Sequence, residues 1–493
     1  MMLIQNQNSQ KLFCQSSNHK NNIIMNILLN NRILKILFSL LLLFVILNLP
    51  GSEIFTTEII TVVAVSVFIF SLWITEALPI PVTSLFPLFM MPLFGIMPIG
   101  DVSKNYGSPI IFLFLGGLIL AIAISKWKLS RRIALYILKF TSKSASGIML
   151  GFMISTAFLS MWISNTATTM MMLPIAMSVI GVLRKQDERF IVFSKYLLIA
   201  IAYSASIGGM ATLIGTPPNA IFAAYASESL NYEFEFIAWF KMFFPLVVIL
   251  ILLMWLYLKT LAGKINADLT QGRKFIDDEL KKLGKITYEE ANVLLVFVII
   301  ACGWIFKSYL PIKISDASIG IMGITLLFAL PNKERTDAIL NWEDAREISW
   351  GTLLLFGGGI SIAKALESSG IIAVLGDYIS VWSDGSIVLA IVITLFLTIY
   401  LTEFIGNAAL IAIMIPILVE IGLKIGGVEA QFDVVLPAVI ACSCAFMLPM
   451  STPPNAIIFS SKFIKISEMA KVGFLANIFA GLVILGYFRL FIN

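Results

Sequence analysis

At 493 residues, 59% hydrophobic and 13% charged, with a mean hydropathy of +0.95, the chain is too apolar for a soluble globule and reads as a polytopic helical membrane protein. Its net charge of +5 does not point to nucleic acid, because Lys and Arg sit in short loops between apolar runs, the distribution that sets membrane orientation. The single histidine, His19, lies in a polar tail, which excludes histidine proton relays and metal sites; the four cysteines Cys14, Cys302, Cys442 and Cys444 lack metal-ligand spacing and read as buried small residues.

Residues 1–31 are rich in Asn, Gln and Ser without periodicity and are expected to form a disordered cytoplasmic tail, with Met25 as an alternative start. Arg32 and Lys35 precede the apolar run Ile36 to Leu49, which has no small-residue cleavage site and reads as the first membrane helix with its N-terminus inside. Thr57 to Leu78 and Pro81 to Met97 are expected as the second and third spans. The two prolines of Thr75-Glu-Ala-Leu-Pro-Ile-Pro-Val-Thr83 bend the chain between them, and Glu76 is expected to cap or pair at that bend. Ile110 to Ile124 returns inside to Lys126, Lys128, Arg131, Arg132, Lys139 and Lys143.

A second basic cluster, Arg184, Lys185, Arg189 and Lys195, follows the next apolar segment, so both ends of residues 144–183 belong on the cytoplasmic side. Two full spans or an inner hairpin would satisfy this. The polar knot Ser164-Asn165-Thr166 in its middle favours a hairpin turning at mid-membrane, where polar groups without water must find a partner in the protein or in a ligand. Residues 196–226 then run outward and are broken at Gly208-Gly209 and at Gly215-Thr-Pro-Pro-Asn219. Paired prolines remove backbone donors, and a broken backbone at that depth is tolerated where it lines a cavity or ligand. Glu228, Glu233 and Glu235 belong to an outer loop, and Phe243 to Leu258 returns inside. The charged segment 259–290, with Lys264, Arg273, Lys274, Lys281, Lys282 and Lys285, links a first repeat, 32–258, to a second, 291–493.

In the second half Ala291 to Leu310 goes out, Ser318 to Leu330 returns, Lys333 to Glu347 forms an inner loop, and Trp350 to Leu366 goes out again. Lys364 and Glu367 at its end read as snorkelling surface charges. Between Glu367 and Phe432 the only basic residue is Lys424, so both ends of an outer hairpin, 386–421, are expected outside. Residues 432–460 pass inward through Ser451-Thr-Pro-Pro-Asn455, and the last span is 472–490.

The halves are copies of one pattern. Asn165 and Pro174 recur as Asn407 and Pro416, each 242 positions on, and the Thr216 box recurs at Thr452, 236 positions on. Leu115-Gly-Gly117 has its counterpart in Phe356-Gly-Gly358. Paired interruptions in two halves of a membrane protein point to a transporter's binding site, and the opposite charge flanks of the two hairpins imply inverted topology. Helix N-termini at such breaks suit an anion, while free carbonyls with Asn and hydroxyl groups suit a small hard cation. The motifs contain no Arg, so an anion would be held by amides, hydroxyls, dipoles and co-bound cations, as a sodium-coupled carrier requires. One Ser-Asn-Thr alone would read as helix packing; the duplicated set does not. Glu403, beside the second tip, is either a buried acceptor for backbone donors or part of coupling. A channel is disfavoured by the closed, duplicated sites, and an enzyme by the absence of His-Glu-x-x-His, paired aspartates or an activated serine.

The stretch Thr75–Thr83, Ser164-Asn165-Thr166 with Leu173-Pro174, Leu401-Thr-Glu-Phe404 and both Thr-Pro-Pro-Asn boxes resemble the divalent anion:sodium symporter family, from about residue 33 to the end. The resemblance implies an all-α fold of about eleven membrane helices with two re-entrant hairpins. It also implies a scaffold domain that forms a homodimer and a transport domain that moves as an elevator in the inner membrane. The implied activity is sodium-coupled import of a dicarboxylate, tricarboxylate or sulfate, with no cofactor beyond sodium. Substrate contacts would fall on Ser164, Asn165, Thr166, Thr216, Asn407 and Thr452. One sodium site would use Ser160, Ser164, Asn165 and the Gly215 backbone, and its mirror Thr402, Asn407 and the Ser451 backbone. The chain departs from the family at the second tip, where Gly406-Asn407-Ala408 replaces Ser-Asn-Thr. That loss of hydroxyls fits a smaller or differently shaped anion such as sulfate, a weakened second sodium site, or a sodium-independent exchanger.

Overall fold

The computed structural model describes residues 32–141, 144–184, 190–263, 270–309, 311–372, 374 and 386–491. The tail with Cys14, His19 and Met25 lies outside the described residues, as do Lys143, Lys185, Arg189 and Lys264. Among the described residues the structure is helical, apart from an isolated bridge between Pro331 and Ala338.

Helix α1 (Arg32–Leu47) packs along α2 (Thr57–Thr75). Its basic end finishes α2: Arg32 Nε donates to Ala77 O at 3.0 Å and Lys35 Nζ to Thr75 O at 2.9 Å. The last carbonyls of a helix lack intrahelical donors, and here two cations supply them. Glu76, between these carbonyls, takes the left-handed C-cap conformation with φ 48°. The third span expected over Pro81 to Met97 is instead two short helices, α3 (Ile80–Thr83) and α4 (Phe86–Leu93). Pro79, Pro81, Pro87 and Pro92 remove donors too often for one continuous helix. Then follow α5 (Ile99–Asn105) and α6 (Pro109–Lys126).

The basic stretch after α6 is itself a helix, α7 (Leu129–Thr141), which buries Leu129, Ala134, Leu135 and Leu138. Two helices, α8 (Ala145–Ser160) and α9 (Asn165–Arg184), turn back on each other at residues 161–164. Next come α10 (Phe190–Gly209), buried at every position from Leu197 onward, and α11 (Pro217–Ser229), separated by the unwound residues 210–216. The long α12 (Phe236–Ala262) leads to α13 (Thr270–Leu283), so part of the expected linker is helical. The second half holds α14 (Tyr288–Phe306), α15 (Asp316–Ala329), the short α16 (Trp342–Ala345) and α17 (Trp350–Ser368). A second turned-back pair follows, α18 (Ile387–Leu401) and α19 (Asn407–Gly426). The chain ends with α20 (Ala430–Ala441), unwound residues 442–452, α21 (Pro453–Phe459) and α22 (Ile466–Phe491).

Among the described residues, 8 helical segments are long and apolar enough to cross a membrane. The first arms of the two turned-back pairs are not among them. α8 has 16 residues and α18 has 15, which at about 1.5 Å per residue falls short of an apolar core about 30 Å thick. The halves interlock: α11 packs on α19, while α21 packs on α9 and α10. Each break is therefore seated against the other half's turned-back pair.

Two further sequence expectations change in the fold. Lys364 is no free surface charge, since its Nζ meets Glu228 of α11 at 2.9 Å; Glu367 is exposed as expected. Cys302 is exposed on α14, whereas Cys442 and Cys444 are buried.

The basic α7 is clasped to the linker. Lys139 pairs with Asp277 at 3.0 Å, and Arg132 forks onto Glu290 with N–O distances of 2.8 and 3.1 Å. The guanidinium also donates to the carbonyls of Leu283, Gly284 and Lys285, and Glu290 accepts from Thr287 N in the capping box of α14. Both side chains are buried, so losing one strands the other. Arg132→Ala is expected to cost about 3–5 kcal/mol, read as a large fall in melting temperature of the purified protein in detergent. A melting temperature within about 2 °C of the parent would contradict a stranded Glu290, since such a cost shifts even a large domain by more.

Candidate functional site

A cavity of about 460 Å³ lies where the interlocked elements meet. Both turns line it, through Ser164, Asn165 and Thr166 and through Gly406, Asn407 and Ala408, as do both boxes, through Gly215 and Thr216 and through Ser451 and Thr452. All six substrate candidates of the sequence thus face one space. The far wall comes from α6 and α17, with Phe114, Gly117, Thr352 and Leu355. Among the described residues that line the cavity, none is charged.

The local sequence explains its polarity. Four helices begin at the wall: α9 at Asn165, α19 at Asn407, and α11 and α21 at the first proline of each box. Proline suits a first helical position because the N–H it lacks would have no intrahelical acceptor. In α11 and α21 the first two positions are both proline and the next amide is bonded to Thr216 O or Thr452 Oγ1, so these helices offer the positive end of the dipole, and free first-turn N–H groups come from α9 and α19. Thr452 Oγ1 accepts from Asn455 N at 3.3 Å, and Ser164 Oγ from Ala167 N at 3.3 Å. Thr216 and Gly406 make no such side-chain cap.

Behind each turn sits an oxygen cluster. Ser160 Oγ lies 2.6 Å from Asn165 Oδ1 and 2.7 Å from Ala205 O. Thr402 Oγ1 lies 2.8 Å from Asn407 Oδ1 and 3.0 Å from Cys442 O. With each amide oxygen turned to the hydroxyl, one proton faces two acceptors and satisfies one of them, which leaves a partly buried group of oxygens, open to the cavity through Asn165 and Asn407, suited to a small hard cation. At the first cluster, a Cβ on Gly209 would fall 2.7 Å from Asn165 Oδ1 and 3.0 Å from Gly215 O. Only glycine lets that carbonyl approach the amide oxygen, so Ser160, Asn165 and Gly215 are brought together as expected. Ser164 instead faces the cavity.

The second cluster differs from expectation. Its extra oxygen is the carbonyl of Cys442, whose thiol also donates to Asn407 O at 3.1 Å. Ser451 lines the cavity and its hydroxyl donates to Leu448 O at 2.7 Å.

The asparagine of each box holds the unwound stretch in shape. Asn219 Nδ2 donates to Gly209 O at 3.1 Å and Thr212 O at 2.8 Å; Asn455 Nδ2 donates to Ala445 O at 2.9 Å and Leu448 O at 3.0 Å. Each acceptor in the second half lies 236 positions after its counterpart, so the repeat extends to individual hydrogen bonds. Sequence reasoning missed this role, although the Asn retained in both boxes was its visible signal. It also missed Ala205 and Cys442, for which no side-chain signal exists, because they act through carbonyls.

Of the two readings of Glu403, the structure adopts the buried acceptor. Its carboxylate takes Met447 N at 2.8 Å, Leu448 N at 3.0 Å and Asn477 Nδ2 at 2.7 Å. The counterpart of Glu403 in the first half is Met161, 242 positions earlier, whose carbonyl accepts from Thr212 Oγ1 at 2.6 Å. Both contacts tie a turn to the neighbouring break, one through a neutral group and one through a carboxylate.

A membrane-embedded cavity built from two matching turns and two matching helix breaks, neutral yet rich in amides and oxygens, defines a solute transporter. Residues 30–492 match the family described as the sodium:sulfate symporter transmembrane region, and the chain belongs to that family. A relative in Staphylococcus aureus (strain USA300), the sodium-dependent dicarboxylate transporter SdcS, is 40% identical over 439 residues, 86% of this chain and 84% of the relative. SdcS from the bovine strain RF122 / ET3-1 is 39% identical over 443 residues, 87% of this chain and 85% of its own length. Relatives of this kind are transporters and not enzymes. The solved structure of Neisseria gonorrhoeae MtrF, of a class of antimetabolite efflux pumps, shares the fold with a TM-score of 0.52 at 14% identity, over 80% of this chain and 83% of that one.

Glu403→Gln keeps the shape but turns an NH₂ toward donors, leaving a buried pair of like groups at a cost of about 1–3 kcal/mol. Uptake at equal membrane content is expected to fall about tenfold or more, since each 1.4 kcal/mol is tenfold. Rates within twofold of the parent would show that Glu403 does not hold the break in its working shape.

Proposed function

We propose that the chain is a secondary active transporter that moves a divalent anion, foremost a dicarboxylate, across the inner membrane together with sodium. The observation that carries this reading is the single uncharged cavity on which both turns converge, each backed by its own buried oxygen cluster. Ser164, Asn165, Thr166, Thr216, Asn407 and Thr452 contact the anion. Ser160, Ser164, Asn165 and the Gly215 carbonyl hold one sodium; Thr402, Asn407 and the Ser451 backbone, with the Cys442 carbonyl, hold the other. The sodium-dependent dicarboxylate relatives support the choice of ion and substrate.

The electrostatics favour coupling. A carboxylate entering an uncharged site loses its hydration without gaining a counter-charge. A sodium ion about 4 Å away returns about 4 kcal/mol at an effective dielectric of about 20. Two clusters flanking the anion therefore make loaded states favourable and the anion-only state unfavourable, which is what symport needs.

In this reading residues 32–258 and 291–493 are inverted repeats, with about eleven spans in all and an N-terminus in the cytoplasm. The pairs α8–α9 and α18–α19 are re-entrant hairpins that travel with the broken helices as an elevator domain, against a scaffold that dimerises. Sodium-independent exchange is the second reading, favoured by the missing hydroxyls of Gly406 and Ala408. Proteoliposome uptake of labelled succinate, citrate and sulfate, with and without an inward sodium gradient and with counter-substrate inside, separates the two. Sodium-driven accumulation is the expected result, and uptake that needs only internal counter-substrate would establish exchange.

Within the symport reading, Ser160→Ala and Thr402→Ala each remove the central oxygen of one cluster. Each is expected to raise the sodium concentration for half-maximal uptake about tenfold, equivalent to about 1.4 kcal/mol. An unchanged sodium dependence in both variants would remove the clusters from the ion path.

A further inference from the structure

We propose that the ion pairs Glu228–Lys364 and Glu235–Lys307 form an outer latch, which holds the cavity shut on the face that the charge pattern places outside and parts when the carrier opens there. The proposal rests on the alternating-access reading of the turns and breaks.

Both pairs stand away from the cavity, on one side of it. The cavity touches α17 at Thr352 and Leu355, near its start, and α11 at Pro217 and Pro218, its first residues. Lys364 and Glu228 lie nine and ten positions further along their helices, about 14–15 Å outward at about 1.5 Å per residue. Over that distance α11 packs on α6 and α17, and this seam separates the cavity from the outer face. Glu228 is the only charged residue of α11, and Lys364 the only basic residue of α17. They meet at 2.9 Å. At the far end of the link 230–235, Glu235 at the N-cap of α12 meets Lys307, just past α14, at 3.3 Å, and Asp316 meets the same Nζ at 3.0 Å. The two acids that flank one short link are thus tied to elements outside the turned-back pairs and the breaks. A cleft of about 80 Å³ beside the second pair, lined by Leu113, Ala223, Ser227 and Glu233 among others, reaches the seam from the outer side.

These pairs are built to part. The side chains of Glu228 and Lys364 are 27% and 28% exposed and that of Glu235 is 46% exposed, so water takes over from each lost partner. Lys307, at 12%, keeps Asp316 when Glu235 leaves. The Arg132–Glu290 pair is the contrast: at 8% and 3% exposed, separating it would strand two buried charges. A pair in full solvent would hold almost nothing. The outer pairs fall between these limits, as a catch that opens in every cycle must.

The seam is read by a cysteine at Ala223, which lines the cleft and is 1% exposed. In intact cells, a membrane-impermeant methanethiosulfonate applied outside should label Ala223→Cys slowly over the background of the chain's own cysteines. Adding Glu228→Gln and Glu235→Gln together should speed labelling about tenfold, through a larger population open to the outside. A rate within about twofold of the Ala223→Cys chain overturns the proposal, since the population would then not depend on the pairs. The converse test locks the first pair. Glu228→Cys with Lys364→Cys, bridged by a short bis-methanethiosulfonate, should lose sodium-driven uptake and regain it on reduction, and undiminished uptake by bridged protein overturns the proposal. Wild-type protein that takes up neither succinate, citrate nor sulfate under a sodium gradient overturns the functional reading instead, and the labelling rates still decide the latch.

Discussion

A backbone N–H or C=O taken out of water must be given a partner, and this fold depends on how two interrupted helices meet that demand. Unwinding residues 210–216 and 442–452 releases carbonyls and amides in stretches that are buried from Met210 to Thr216 and from Cys442 to Phe446. Some are tied down by Asn219 and Asn455, some by Glu403, and some close the oxygen clusters behind the turns. The remaining first-turn amides of α9 and α19 lie at the cavity wall, beside the positive dipole ends of α11 and α21. Binding capacity is what is left over after the rest of the backbone has been satisfied.

The interlocking of the halves follows from the same demand. A short helix such as α21, with 7 residues, cannot shield its own ends, and it is covered by α9 and α10 of the other half. α11 is covered by α19 in return. The exchange brings turns that are far apart in the chain against one another. It also lets the halves diverge locally while keeping their geometry, as Met161 and Glu403 do when each ties a turn to a break by different chemistry.

Much of this was legible in the sequence because it is written in side chains with strong backbone consequences. Paired prolines marked the breaks, and Ser164-Asn165-Thr166 and Asn407 marked the turns, since amides and hydroxyls in apolar runs have few uses. What escaped was of two kinds. Carbonyls carry no sequence signature, so Ala205 and Cys442 could not be seen beforehand. Side-chain partnerships across long separations could not be seen either: Lys364 looked like a surface charge until Glu228 stood opposite, and the basic run 126–143 hid an amphipathic helix clasped to Asp277 and Glu290. The single span expected over Pro81 to Met97 failed for a reason that was in view: Pro79 and Pro81 were weighed only as a bend, and Pro87 and Pro92 inside the span were not weighed.

The cap that Arg32 and Lys35 place on the end of α2 joins two tasks usually kept apart. These cations are the charges that read as the orientation signal for the first helix, and they are also the donors for the carbonyls of Ala77 and Thr75. A chain threaded with that end on the wrong side would carry its cations away from the helix terminus that needs them. Orientation and capping are thereby coupled: the same two side chains serve the charge signal of the first helix and the carbonyl end of the second.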